Sequence, residues 1–93
     1  MNLEIIDELR KMREACGWTP YHTPENCAKS ITIEAAELLE HFQWSDEADV
    51  EGVKEELADV LIYAYNLADV MELDVDEIVK NKLKKNWERF AVK

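Results

Sequence analysis

A chain of 93 residues has room for one small domain, and the core it can build alone is marginal, so self-association is expected. Its 21 acidic and 11 basic residues leave a net charge of −10, which argues against a clamp on nucleic-acid backbone and suits a protein that gathers divalent cations. The 47% hydrophobic and 34% charged residues describe a soluble globular chain, and two Gly and two Pro are too few for a turn-rich all-β fold.

The opening MNLEIIDELRKMREACGW carries acids in its first turns and no apolar leader, and no run approaches the roughly 18 apolar residues of a membrane span. Cys16 and Cys27 form neither a zinc spacing nor a disulfide framework. A cytoplasmic location with reduced thiols, and no membrane partner, is the expectation.

In chain order, Leu3, Ile6, Leu9 and Met12 recur at helical spacing, and Gly17 is a natural stop. Thr23-Pro24 reads as a cap followed by Pro in the first turn, and predicts a helix from there to about Trp44. Ser45 or Asp46 is expected to cap a long third helix, over roughly residues 50–72. Asp74 and Glu77 have capping-box spacing and open a last helix reaching about Phe90. The fold class is therefore all-α, a small helical bundle within a single domain over residues 1–93.

The chemistry lies on the two middle helices. On the second, Ile31, Ala35, Leu38 and Phe42 share a face expected to be core. Beside it runs a polar stripe of Glu34, Glu37 and His41. The third helix reads LADVLIYAYNLADVM from Leu57, apolar on nearly every face, which predicts burial. Yet Glu56, Asp59, Tyr63 and Asn66 run down one side of it. A buried carboxylate must be neutralised or paired, and nearby bases are scarce. Two helices that each offer carboxylates at i, i+3 can face one another and hold a metal in a bundle core. Oxygen-only ligands suit Mg²⁺, with Mn²⁺ as a substitute. The Glu-x-x-His motifs of a di-iron site are absent.

Glu34-Ala-Ala-Glu37 followed by Glu56-Leu-Ala-Asp59 resembles the ExxE…ExxD pattern of the MazG-like all-α nucleoside triphosphate pyrophosphohydrolases. HTPENCAKSITIEAAELLEHFQW (residues 22–44), EELADVLIY (55–63) and the ending from Lys80 are similar to the dCTP pyrophosphatase branch. The resemblance implies Mg²⁺-dependent hydrolysis of a nucleoside triphosphate, of dCTP type, to the monophosphate and pyrophosphate. It implies Glu34, Glu37, Glu56 and Asp59 as metal ligands and catalytic acids. It places the base against Trp18 and Trp44, with His22 and Tyr63 in the pocket and Asn66 further along the same stripe. Lys82 and Asn86, with Arg89, fall where phosphate contacts are made. It also implies a homodimer or homotetramer that completes the bundle. The family's terminal Tyr-Pro pair is Phe90-Ala91 here, which loosens the C-terminal assignment. Two other classes are open: a phosphoribosyl-ATP pyrophosphohydrolase, and a non-enzymatic acidic helical interaction module.

Overall fold

The computed structural model describes residues 3–47 and 49–91, and these contain only helices, turns and loops. Helix α1 spans Leu3–Ala15, a short 3₁₀ turn spans Thr19–Tyr21, α2 spans Pro24–Glu40, α3 spans Val50–Val70, and α4 spans Val75–Asn86. A wider π-type turn, Trp87–Ala91, continues from α4. The last two residues of the family-like C-terminal segment lie outside the described residues.

Local chemistry sets most of the ends. Gly17 adopts φ +69°, and the Gly17 and Trp18 amides donate to the carbonyls of Glu14 and Arg13. That is a Schellman stop for α1, with glycine where an L-residue would be strained. Thr23 Oγ1 accepts from the Asn26 amide at 3.2 Å, and Pro24 follows as the first helical residue. Asp74 accepts from the Glu77 amide at 3.1 Å and opens α4.

Three boundaries depart from the sequence reading. Helix α2 stops at Glu40 instead of reaching Trp44. The amides of His41, Phe42 and Gln43 bond three residues back, so the last turn tightens and the ladder runs out. The cap of α3 is Asp49, whose carboxylate accepts from the Glu51 and Gly52 amides at 3.3 Å. Ser45, the expected cap, instead accepts from the Glu47 amide and shapes the loop. Beyond Asn86 the α4 helix widens before it reaches Phe90.

Helices α2 and α3 form an antiparallel hairpin, and α1 lies across α3 more lightly. Among the described residues the buried hydrophobics are Ile6, Leu9, Cys27 and Ala68, and both cysteines are free thiols. The face expected to be core is half-covered at best: Ile31 and Leu38 are half-buried, while Ala35 and Phe42 are exposed. Leu3 and Met12 are exposed too, and Arg13 takes the buried position on α1. Along α3, Leu57, Leu61 and Ile62 face outward because one neighbouring helix cannot cover an all-round apolar surface. The Cα radius of gyration is 15.6 Å. A compact globule of this length has about 12 Å.

Candidate metal centre

The α2–α3 hairpin turns its two acidic stripes toward each other. Glu34 from α2 and Glu56 and Asp59 from α3 each bring a carboxylate oxygen within 4.8 Å of the others, and all three are half-buried. Glu37 lies beside them, within hydrogen-bonding reach of both Glu34 and Glu56. The hydrogen bond that protonated Glu34 donates to Glu37, followed by burial and then by the charges of Glu37, Asp59 and Glu56, pushes the Glu34 carboxyl up to about 7. Burial first, then the charge of Glu37, raises Glu56 as well. Glu34 Oε2 and Glu56 Oε2 are buried and have no hydrogen-bond partner.

This donor set fits a hard divalent cation. It is all oxygen, it is anionic, and two of its buried oxygens lack any other partner. In an octahedron of Mg²⁺ with ~2.1 Å bonds the ligand oxygens stand about 3 to 4.2 Å apart, so small side-chain movements would close the set.

On the α2 side, the His41 imidazole reaches across to α3, with Nε2 3.9 Å from Glu56 Oε1. It rests over Gly52, where a Cβ would meet Nδ1 at 2.8 Å and Cε1 closer still. Further along α3, Tyr63 stands against His22, with ring centroids 6.2 Å apart. His22 in turn stacks on Trp18 at 5.6 Å. Burial, then the charge of Arg13, lowers the His22 imidazole below its ordinary value. Asn66, 2% exposed, follows Tyr63 on the same stripe, and its Oδ1 is unpartnered.

The single chain thus assembles Trp18, His22 and Tyr63, one helical turn from the acids. It does not bring Trp44 to them: that ring lies in the loop after α2 and is 89% exposed. Lys82 and Asn86 line a shallow groove on α4 with Ile78 and Leu83, and no ion pair joins Lys82 to the acids among the described residues. Arg89 lies over the Phe90 ring, 4.9 Å from its centroid.

The sequence reading missed two features. One is the clamp of Asp69 on Arg10, at 2.6 Å, and on buried Arg13, which ties α1 to α3. Its only trace in the sequence is one arginine at i+4 from Leu9 on an apolar stripe. The other is the Gly52 slot, signalled only by a glycine inside a first helical turn.

A family model described as the MazG-like family matches residues 29–93. The chain is 33% identical over 85 residues to dCTP pyrophosphatase 1 of Rattus norvegicus, covering 81% of this chain and 50% of that one. It is 31% identical over 83 residues to dCTP pyrophosphatase 1 of Homo sapiens, covering 78% and 49%. The chain therefore spans about half the length of the curated relatives it matches. A crystal structure of a pyrophosphatase from Archaeoglobus fulgidus DSM 4304 superposes with a TM-score of 0.85 and 48% identity, over 94% of this chain and 89% of that one. A family match across both halves of the acidic hairpin, with a close structural relative along nearly the whole chain, places this protein in the MazG-like family.

Proposed function

We propose that the protein hydrolyses nucleoside triphosphates, of which dCTP or a related or modified pyrimidine deoxynucleotide is the preferred one, to the monophosphate and pyrophosphate. The observation that carries this reading is the four-carboxylate cluster held between α2 and α3, next to an aromatic pocket. Glu34, Glu37, Glu56 and Asp59 would hold Mg²⁺, or Mn²⁺ in its place. The bound cation supplies charge neutralisation, without which a polyanionic substrate would be repelled from this site.

Within that frame the chain's own groups have distinct tasks. One carboxylate of the cluster would take a proton from the attacking water, while the others would hold the cation in their ionised form. The water oxygen bonds to the α-phosphorus, the bond from that phosphorus to its bridging oxygen breaks, and pyrophosphate departs with the electron pair. The Trp18–His22 stack and Tyr63 face the base, and Asn66 offers its carbonyl further along α3. Base–aromatic stacking of this kind is worth roughly 1–3 kcal/mol.

The reading includes a homodimer or homotetramer. Apolar grooves flank α3 on both sides, one lined by Ile5, Met12 and Ile62, the other by Leu61, Val79 and Leu83. A second copy laid there would complete the bundle, and could bring Trp44, Lys82 and Asn86 of one copy toward the acids of the other. No helix among the described residues is long and apolar enough to cross a membrane.

A panel of canonical and modified triphosphates, with Mg²⁺ and with EDTA, tests the proposal by product identity. Monophosphate and pyrophosphate in equal amounts, only with metal and fastest from a cytosine deoxynucleotide, is the expected result. Release of inorganic phosphate, or no turnover of any triphosphate, contradicts it.

A further inference from the structure

His41 and Gly52 belong to no ligand set, yet the imidazole occupies the space a side chain at position 52 would need. The imidazole emerges from the end of α2 and crosses to α3, where Nε2 faces Glu56 Oε1 at 3.9 Å. Both side chains are largely enclosed, 29% and 23% exposed. The ring can lie there only because residue 52 has no side chain: a Cβ would stand 2.8 Å from Nδ1, inside van der Waals contact. The same point lies 3.3 Å from Asp49 Oδ2, the oxygen that caps α3. The imidazole therefore fits between the helix cap and Glu56. Glu56 has one oxygen toward the imidazole and the other buried without a partner, beside the remaining acids.

We propose that His41, seated in the slot left by Gly52, is a positioning residue that turns the Glu56 carboxylate toward the cation. The inference rests on the reading of the acidic cluster as a metal centre. At 3.9 Å the imidazole stands just outside hydrogen-bond distance of Oε1, and a shift of under an ångström on cation binding would let Nε2–H donate there and leave Oε2 for the cation. An orienting partner of this kind fixes the rotamer of a ligand that like charges would otherwise push apart. Loss of such partners typically weakens metal binding about 10- to 100-fold.

The test is Mn²⁺ binding to the nucleotide-free protein, followed by calorimetry and by electron paramagnetic resonance of the free ion. His41→Ala and Gly52→Ala should each weaken Mn²⁺ by about tenfold or more. His41→Gln, which keeps a side-chain N–H donor, should recover part of the loss. At saturating Mn²⁺ the nucleotide KM should stay within about twofold of wild type while kcat falls, since the base pocket is untouched. Melting curves separate this from misfolding, and His41→Gln carries the comparison if His41→Ala melts early. Unchanged Mn²⁺ affinity in His41→Ala overturns the proposal. So does a Gly52→Ala protein that binds Mn²⁺ normally and gains stability, as alanine in a helix otherwise would. Glu56→Gln tells the two failures apart. If it also binds Mn²⁺ normally, the metal-centre reading itself falls; if only the His41 variants do, the positioning role of His41 falls and the metal centre stands.

Discussion

Glu34 shares hydrogen-bonding space with Glu37, and this lifts its ionisation from 4.5 to about 7. Between those values the folded chain keeps a proton that the unfolded chain has released. Folding stability therefore falls as pH rises through that window. In the absence of divalent ions, Tm should decline from about pH 5 to about pH 7.5, and Glu34→Gln should flatten the curve and raise its upper end. A wild-type Tm that holds level or rises over that range contradicts the assignment. A cation entering the cluster must displace the same proton. Mg²⁺ or Mn²⁺ affinity should thus increase with pH, by about tenfold per unit below 7, and titration calorimetry at several pH values reads this directly.

Helix ends and helix pairings supply two further expectations. At the C-terminus of α3, Glu72 takes φ +58°, while the Glu72 and Leu73 amides donate to the Asp69 and Ala68 carbonyls. This is the same stop as at Gly17, built on a residue with a Cβ. Left-handed backbone costs an L-residue roughly 1–2 kcal/mol. Glu72→Gly should therefore stabilise by about 1 kcal/mol, a Tm gain of several degrees in a thermal melt. The pairing of α1 with α3 depends on Asp69, which is 8% exposed and holds the equally buried Arg13. Asp69→Asn would leave a buried guanidinium uncompensated, at a cost of about 3–5 kcal/mol. Hydrogen exchange of α1 amides should accelerate more than that of α2. The outer Arg10 contact, 59% exposed on the arginine side, should matter much less, and Arg10→Ala is the control. The paired arginines hold the Asp69 carboxyl below its ordinary value of 3.8. That stabilisation is complete above 3.8 and is lost as pH falls through the lowered value.

Thr23-Pro24, Asp74 and Gly17 announce their turns in the sequence because each residue type does one job there. Asp49 does not, since Ser45, Asp46 and Asp49 are all competent caps within five residues and composition cannot choose among them. Glu72 is hidden because the left-handed stop usually carries glycine. Carboxylates on an otherwise apolar helix made Glu56 and Asp59 visible. The His41–Gly52 contact depends on where α2 ends and how it crosses α3, and no residue spacing encodes that. The apolar pattern of α3 shows that its faces seek cover, but not whether the cover comes from the same chain.

At the scale of the whole molecule, four buried hydrophobics among the described residues and a 15.6 Å radius of gyration mark a thin core for the length of the chain. Leu61, Val79 and Leu83, all well exposed, line the open groove between α3 and α4. Sedimentation at low micromolar concentration should give a dimer or tetramer, and Tm should rise with protein concentration. Leu61→Glu should shift the sedimentation toward smaller, less stable species. A folded monomer with concentration-independent Tm defeats the shared-bundle arrangement.

All four acids and the histidine beside them fall within the 26 residues from Glu34 to Asp59, on one helical hairpin. The acidic cluster is thus contiguous in sequence, built by one hairpin without help from α1 or α4. The tip of the hairpin, from Gln43 to Glu47, is exposed, and its ties there are local ones. Extra residues spliced between Ser45 and Glu47 should leave the acids in register, because loop lengthening costs only about 0.6 kcal/mol per doubling. Length can therefore vary at that tip while the acids of the adjoining helical turns keep their register.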